Sequence, residues 1–106
     1  MAKKAKILPP LTGAPKIIEE TSELCQALMK AAYTTPVADP EELMRDIEEE
    51  IADSLAAIEF FTDLHAVSNG RHLSWLRIQQ RKAEKMAKLH RRFKEGDLNG
   101  LRETVQ

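Results

Sequence analysis

Apolar positions in this chain recur three times at helical spacing, and nowhere do they alternate as a half-buried strand would. In the first stretch Ile17, Leu24, Leu28, Ala31 and Ala32 fall on one face and predict a helix ending near Tyr33. Thr12 or Gly13 is placed to cap it, and Pro15 is tolerated in a first helical turn. Residues 34–38 read as a linker. Asp39-Pro40-Glu41-Glu42 then has the form of a helix start: a capping Asp, a Pro at the first position, and a Glu three residues beyond the cap. The helix predicted from Pro40 runs to about Val67 and closes at Asn69-Gly70, residue types that accept the left-handed conformation. A third helix is expected from Ser74 to Lys94, with Leu76, Ala83, Met86, Ala87 and His90 inward. Residues 1–14 read as a flexible arm broken by Pro9, Pro10 and Gly13, residues 15–94 as one helical domain, and residues 95–106 as a tail.

The second helix changes character along its length. Its first half is amphipathic through Met44, Ile47, Ile51 and Leu55. In the second half Ala56, Ala57, Ile58, Phe60, Phe61 and Leu64 wrap most of the circumference, leaving Glu59 and Asp63 on a narrow polar edge. A helix that is apolar nearly all round is buried on more than one side, which three helices of one short chain can hardly achieve. The expected architecture is therefore all-α, with three main helices per protomer and a bundle completed by a homodimer or tetramer.

Composition narrows the function. With 106 residues the chain holds at most one domain with a modest core. No apolar run reaches the roughly 20 residues that span a bilayer, and no signal-peptide core follows the basic start, so the expectation is a cytoplasmic protein with no membrane partner. Cys25 is the sole cysteine and reads as a small buried helix residue in a reducing compartment. The net charge of −1 conceals a segregation: residues 19–63 carry 13 acidic and two basic side chains, while residues 71–94 carry nine basic and one acidic. One region suits cations and the other anions, and the two could also attract each other across a bundle.

Two acidic segments repeat one design. Ile17-Ile18-Glu19-Glu20-Thr21-Ser22-Glu23 and Ile47-Glu48-Glu49-Glu50-Ile51-Ala52-Asp53 each place carboxylates three and six residues after an isoleucine. On a helix these lie about 60° and about 120° from the isoleucine, flanking the apolar seam, whereas Glu48 and Glu49 point away. Two such helices packed through their seams bring four carboxylates together, a costly arrangement without a cation between them. Hard oxygen ligands favour magnesium or manganese over zinc, and His65, His72 and His90 show no zinc-binding spacing.

The arrangement Glu19-Glu20-x-x-Glu23, then Glu50-x-x-Asp53, resembles the EExxE…ExxD signature of the MazG-like all-α nucleoside triphosphate pyrophosphohydrolase superfamily, over roughly residues 13–94. The resemblance implies that Glu20, Glu23, Glu50 and Asp53 hold Mg2+ (or Mn2+). It also implies that water attacks phosphorus to release a nucleoside monophosphate and pyrophosphate, with Glu20, or secondarily Glu19, as general base. Lys88-Leu89-His90-Arg91-Arg92-Phe93 is similar to the basic stretch that follows the metal helices in that superfamily, which places Lys85, Lys88, Arg91 and Arg92 as expected phosphate contacts. Arg81, Lys85, Lys88 and Arg92 share one helix face; the bland reading of that face is simple solvation. Nucleic acid is disfavoured because the basic stripe lacks interleaved aromatics. Phosphoribosyl-ATP pyrophosphohydrolases share the acidic motifs but usually show a Tyr-His pair where this chain has Ala56-Ala57-Ile58-Glu59, which argues against that substrate. The competing class is a non-catalytic helical interaction or regulatory protein that keeps the acidic face for packing.

Overall fold

In the computed structural model, which describes residues 10–33, 36–66 and 73–96, three helices appear and no strand does among the described residues. Helix α1 spans Ala14–Tyr33, α2 spans Pro40–His65 and α3 spans Trp75–Lys94. Local chemistry sets these boundaries. The Asp39 side chain accepts from the Glu42 backbone N–H at 3.1 Å, as the helix-start motif predicts. Ser74 does the same for α3, accepting from the Arg77 N–H at 3.2 Å. Helix α2 stops at His65, two residues short of the expected Val67, and the Asn69-Gly70 stop falls outside the described residues. The arm before residue 10 and the tail beyond residue 96 also lie outside them. No helix among the described residues is long and apolar enough to cross a membrane.

Helices α1 and α2 form an antiparallel hairpin, and its pairing can be followed from end to end. At the open end the His65 imidazole Nε2 and the Thr12 carbonyl stand 2.9 Å apart, and the Phe61 and His65 rings pack with centroids 4.5 Å apart. Gly13, at φ +94°, turns the chain into α1 against Phe60 and Phe61. Halfway along, the Ser54 hydroxyl donates to the Glu20 carbonyl at 3.2 Å. Along this contact Ile47 and Ala57 are the buried apolar residues of the described chain, joined by buried Ser54, Thr62 and His65.

That core is thinner than the hydrophobic pattern implies. Ile17, Leu24, Ala31 and Ala32 of α1 are half-buried against α2 as expected, but Leu28 is 45% exposed. Of the expected stripe on α2 only Ile47 is covered; Met44, Ile51 and Leu55 stay open to solvent. They sit to one side of the contact with α1, because a single neighbour covers only one arc of a helix. Cys25 is exposed, not buried, for the same reason: it faces away from α2.

Helix α3 corrects a further expectation. Leu76, Ala83, Met86, Ala87 and His90 are all exposed, whereas Trp75, Ile78 and Leu89 are half-buried. The apolar arc therefore runs through Trp75, Ile78, Met86, Leu89 and Phe93, rotated from the predicted face. Helix α3 packs along neither α1 nor α2, in contrast to their mutual pairing. The radius of gyration, 18.2 Å, accordingly exceeds the about 13 Å of a compact domain this size.

Gly13→Ala should lower stability by roughly 1–2 kcal/mol, because φ +94° sits where a Cβ is disfavoured while the nearest side-chain atom, at 3.6 Å, leaves room for it. Urea unfolding of both proteins measures this, and an unchanged midpoint would show that the turn relaxes without strain.

Candidate metal centre

The hairpin register that pairs Ser54 with Glu20 also sets the acidic motifs side by side. Carboxylate oxygens of Glu20, Glu50 and Asp53 lie within 4.8 Å of one another. Glu23, the fourth expected ligand, is more exposed but lies within hydrogen-bonding reach of Glu50. All four residues expected to hold metal are thus neighbours. Glu48 and Glu49 point outward into solvent, as their helical positions require.

The electrostatics of the group are unfavourable as it stands. Partial burial, then the negative charges of Glu23, Asp53 and Glu20, hold the Glu50 carboxyl above its ordinary range, and the hydrogen bond that protonated Glu50 donates to Glu23 adds to the rise. Glu20 Oε2 and Glu50 Oε2 are buried without a hydrogen-bond partner among the described residues. A buried carboxylate oxygen with no donor is expensive to keep charged. The donor set is entirely carboxylate oxygen, which fits magnesium or manganese.

Lys16 was not visible as a site residue in the motif, yet its ammonium touches Glu20 Oε1 at 3.1 Å and Glu19 at 3.4 Å. Its pKa is raised, chiefly by the Glu20 hydrogen bond and then by Glu19. Lys16 and Glu20 stand at i and i+4, a spacing that could have flagged the contact, although lysine preceding glutamate is the weaker orientation. Lys16 satisfies one oxygen of Glu20 and leaves the other bare. Glu19, by contrast, is exposed on the outer side of Lys16 and takes no part in the cluster.

An open cleft of about 370 Å³ adjoins the carboxylates, lined by Lys16, Glu20, Asp53, Ala56, Ala57 and Phe60. Ala56 and Ala57 keep its floor low, and Phe60 presents an exposed ring at its edge. The expected phosphate contacts are elsewhere: Lys85, Lys88 and Arg91 are exposed and Arg92 half-buried on α3, and no ion pair joins Lys85, Lys88 or Arg91 to the cluster among the described residues. Comparison with known proteins found no matching family model, curated protein or solved structure.

The raised Glu50 pKa has a definite sign for stability. The native state holds this proton more tightly than the unfolded chain, so its contribution is fully present below the ordinary glutamate value of 4.5 and is lost as pH climbs through the raised one. Metal-free protein should therefore lose melting temperature over that window, and Glu50→Gln should flatten the loss. A profile identical in the two proteins would remove Glu50 as its source.

Proposed function

We propose that this chain is a magnesium-dependent nucleoside triphosphate pyrophosphohydrolase of MazG-like type, active as a homo-oligomer. The observation that carries the reading is the pair of unpartnered, buried oxygens, Glu20 Oε2 and Glu50 Oε2, inside a group of four carboxylates drawn from two helices. Glu20, Glu23, Glu50 and Asp53 would hold the cation. Magnesium so held supplies charge neutralisation to phosphate oxygens and polarises phosphorus for attack.

The remaining chemistry falls to the chain's own side chains. Lys16 lies in the cleft beside Glu20 and offers an ammonium to a phosphate oxygen. Phe60 supplies an exposed aromatic face on which a nucleobase can stack, over the small side chains of Ala56 and Ala57. Water oxygen adds to phosphorus, the bond from that phosphorus to the oxygen bridging the α and β phosphates breaks, and the products are a nucleoside monophosphate and pyrophosphate. Of the two candidate bases, Glu20 lies in the cleft and Glu19 does not, so the water proton passes to Glu20. Self-assembly has separate support: Ile51, Leu55 and Ile58 form an uncovered apolar stripe larger than isolated surface residues would give.

A panel of ribo- and deoxyribonucleoside triphosphates with magnesium or manganese tests this directly. Pyrophosphate should appear in equal amount with the monophosphate. Release of inorganic phosphate alone would assign a different reaction. Absence of turnover together with absence of metal binding by calorimetry would leave a helical interaction protein, for which the exposed apolar stripe would then be the working surface.

Ligands and bystanders separate by substitution. Magnesium at a hundred times its dissociation constant should stabilise the parent by about 2.7 kcal/mol, read as a higher melting temperature. Asp53→Asn should lose that gain and most turnover, while Glu48→Gln, exposed on the opposite side, should keep both. Equal magnesium stabilisation of parent and Asp53→Asn would place the cation elsewhere.

A further inference from the structure

The hairpin has two unlike broad faces. With α1 against the Ile47, Ser54 and Phe61 side of α2, stepping about 100° per residue sets the carboxylate cleft on one face and Met44, Ile51, Leu55 and Ile58 on the opposite one. Those four side chains are between 41% and 58% exposed. Glu41, Glu48, Glu59 and Asp63, all exposed, run along the edge of this stripe farther from α1.

Helix α3 carries the complement. Trp75, Ile78, Met86, Leu89 and Phe93 make an apolar stripe broken at its centre by exposed Lys82, and Arg77, Arg81, Lys85 and Lys88 line one edge of it, about 100° round the helix. The direction of pairing then decides whether these charges meet. Laid antiparallel on the α2 stripe, α3 puts its basic edge above α1. Laid parallel, it puts that edge above Glu41, Glu48, Glu59 and Asp63.

Within one chain the parallel arrangement is closed. The Leu73 backbone N–H donates to the His65 carbonyl at 3.3 Å, which fixes the start of α3 at the C-terminal end of α2. Parallel pairing needs that start roughly 30 Å back along α2, the length of a 20-residue helix at about 1.5 Å per residue. We propose that the exposed face of α2 is covered by α3 of a second copy lying parallel to it, each protomer giving α3 and receiving its partner's. The exchange accounts for an amphipathic helix that packs along neither α1 nor α2 and for the extended 59 Å dimension of the protomer. It rests on the self-assembly part of the function reading and not on its chemistry.

Charge reversal in two separate chains tests the exchange. Wild type should sediment at twice the 12.0 kDa chain mass at micromolar concentration. Arg81→Glu/Lys85→Glu/Lys88→Glu sets like charges face to face in its own dimer, as does Glu48→Lys/Glu59→Lys/Asp63→Lys, so each alone should dissociate at least tenfold more readily. Mixed one to one, the two variants present opposite charges at both contacts and should regain the dimer. Recovery on mixing also shows that neither variant had merely unfolded, and far-ultraviolet circular dichroism of each confirms its helices.

The other results are equally informative. Variants that stay dimeric, or a mixture that stays monomeric beside a dimeric wild type, would remove α3 as the occupant while self-assembly stands. A monomeric wild type would remove both. If that monomer is captured by vesicles of phosphatidylserine and phosphatidylcholine but not by phosphatidylcholine alone, α3 belongs on an anionic lipid surface and the exchange is wrong.

Discussion

Four carboxylates crowd the middle of a two-helix hairpin that has almost nothing else inside it, and most features of the chain answer to that crowding. Like charges at this separation repel, and the repulsion acts across the interface that must hold α1 to α2. The opposing forces are few: buried Ile47 and Ala57, the Ser54 hydroxyl on the Glu20 carbonyl, and the His65 and Phe61 closure at the open end. The Glu50 carboxyl responds by holding its proton more tightly, and Glu20 responds by recruiting Lys16. Neither response satisfies the second oxygen of either glutamate. A hairpin arranged only for stability would not set these groups face to face.

Much of the fold and of the acidic cluster was legible in the sequence because both depend on local periodicity. The Asp39 cap, the helical stretches and the i, i+3 placement of Glu20, Glu23, Glu50 and Asp53 follow from spacing within single helices. What spacing cannot supply is the azimuth at which one helix meets another. The Met44, Ile51 and Leu55 stripe read as core because it is apolar, yet α1 lies to one side of it and covers Ile47, Ser54 and Phe61 instead. Cys25 and Leu28 turned outward for the same reason. On α3 the alanines drew the inferred inner face toward Ala83 and Ala87, when the larger residues Trp75, Ile78, Leu89 and Phe93 mark the stronger arc. Lys16 stayed hidden because a motif of acids draws no notice to the base beside it.

Segregation of charge along the chain takes on a spatial meaning once α3 is seen apart from the hairpin. Acidic α2 and basic α3 are consecutive, so their attraction could have been satisfied within one protomer. The side-chain order around each helix prevents it: antiparallel contact, the arrangement open to consecutive helices, turns the basic edge away from the acidic one. Composition gives the sign of an interaction, while helical phase and chain direction determine where it can be made.

The single tryptophan, Trp75, stands at the first turn of α3, just past the bond that joins Leu73 to the end of α2. Trp75 is half-buried beside the junction of α2 and α3, so intrinsic fluorescence reports that junction. Far-ultraviolet circular dichroism weights all three helices by length instead. Denaturation followed by the two signals will trace different curves whenever α3 lets go before the hairpin does, and a single unfolding free energy fitted to either curve would then describe neither process.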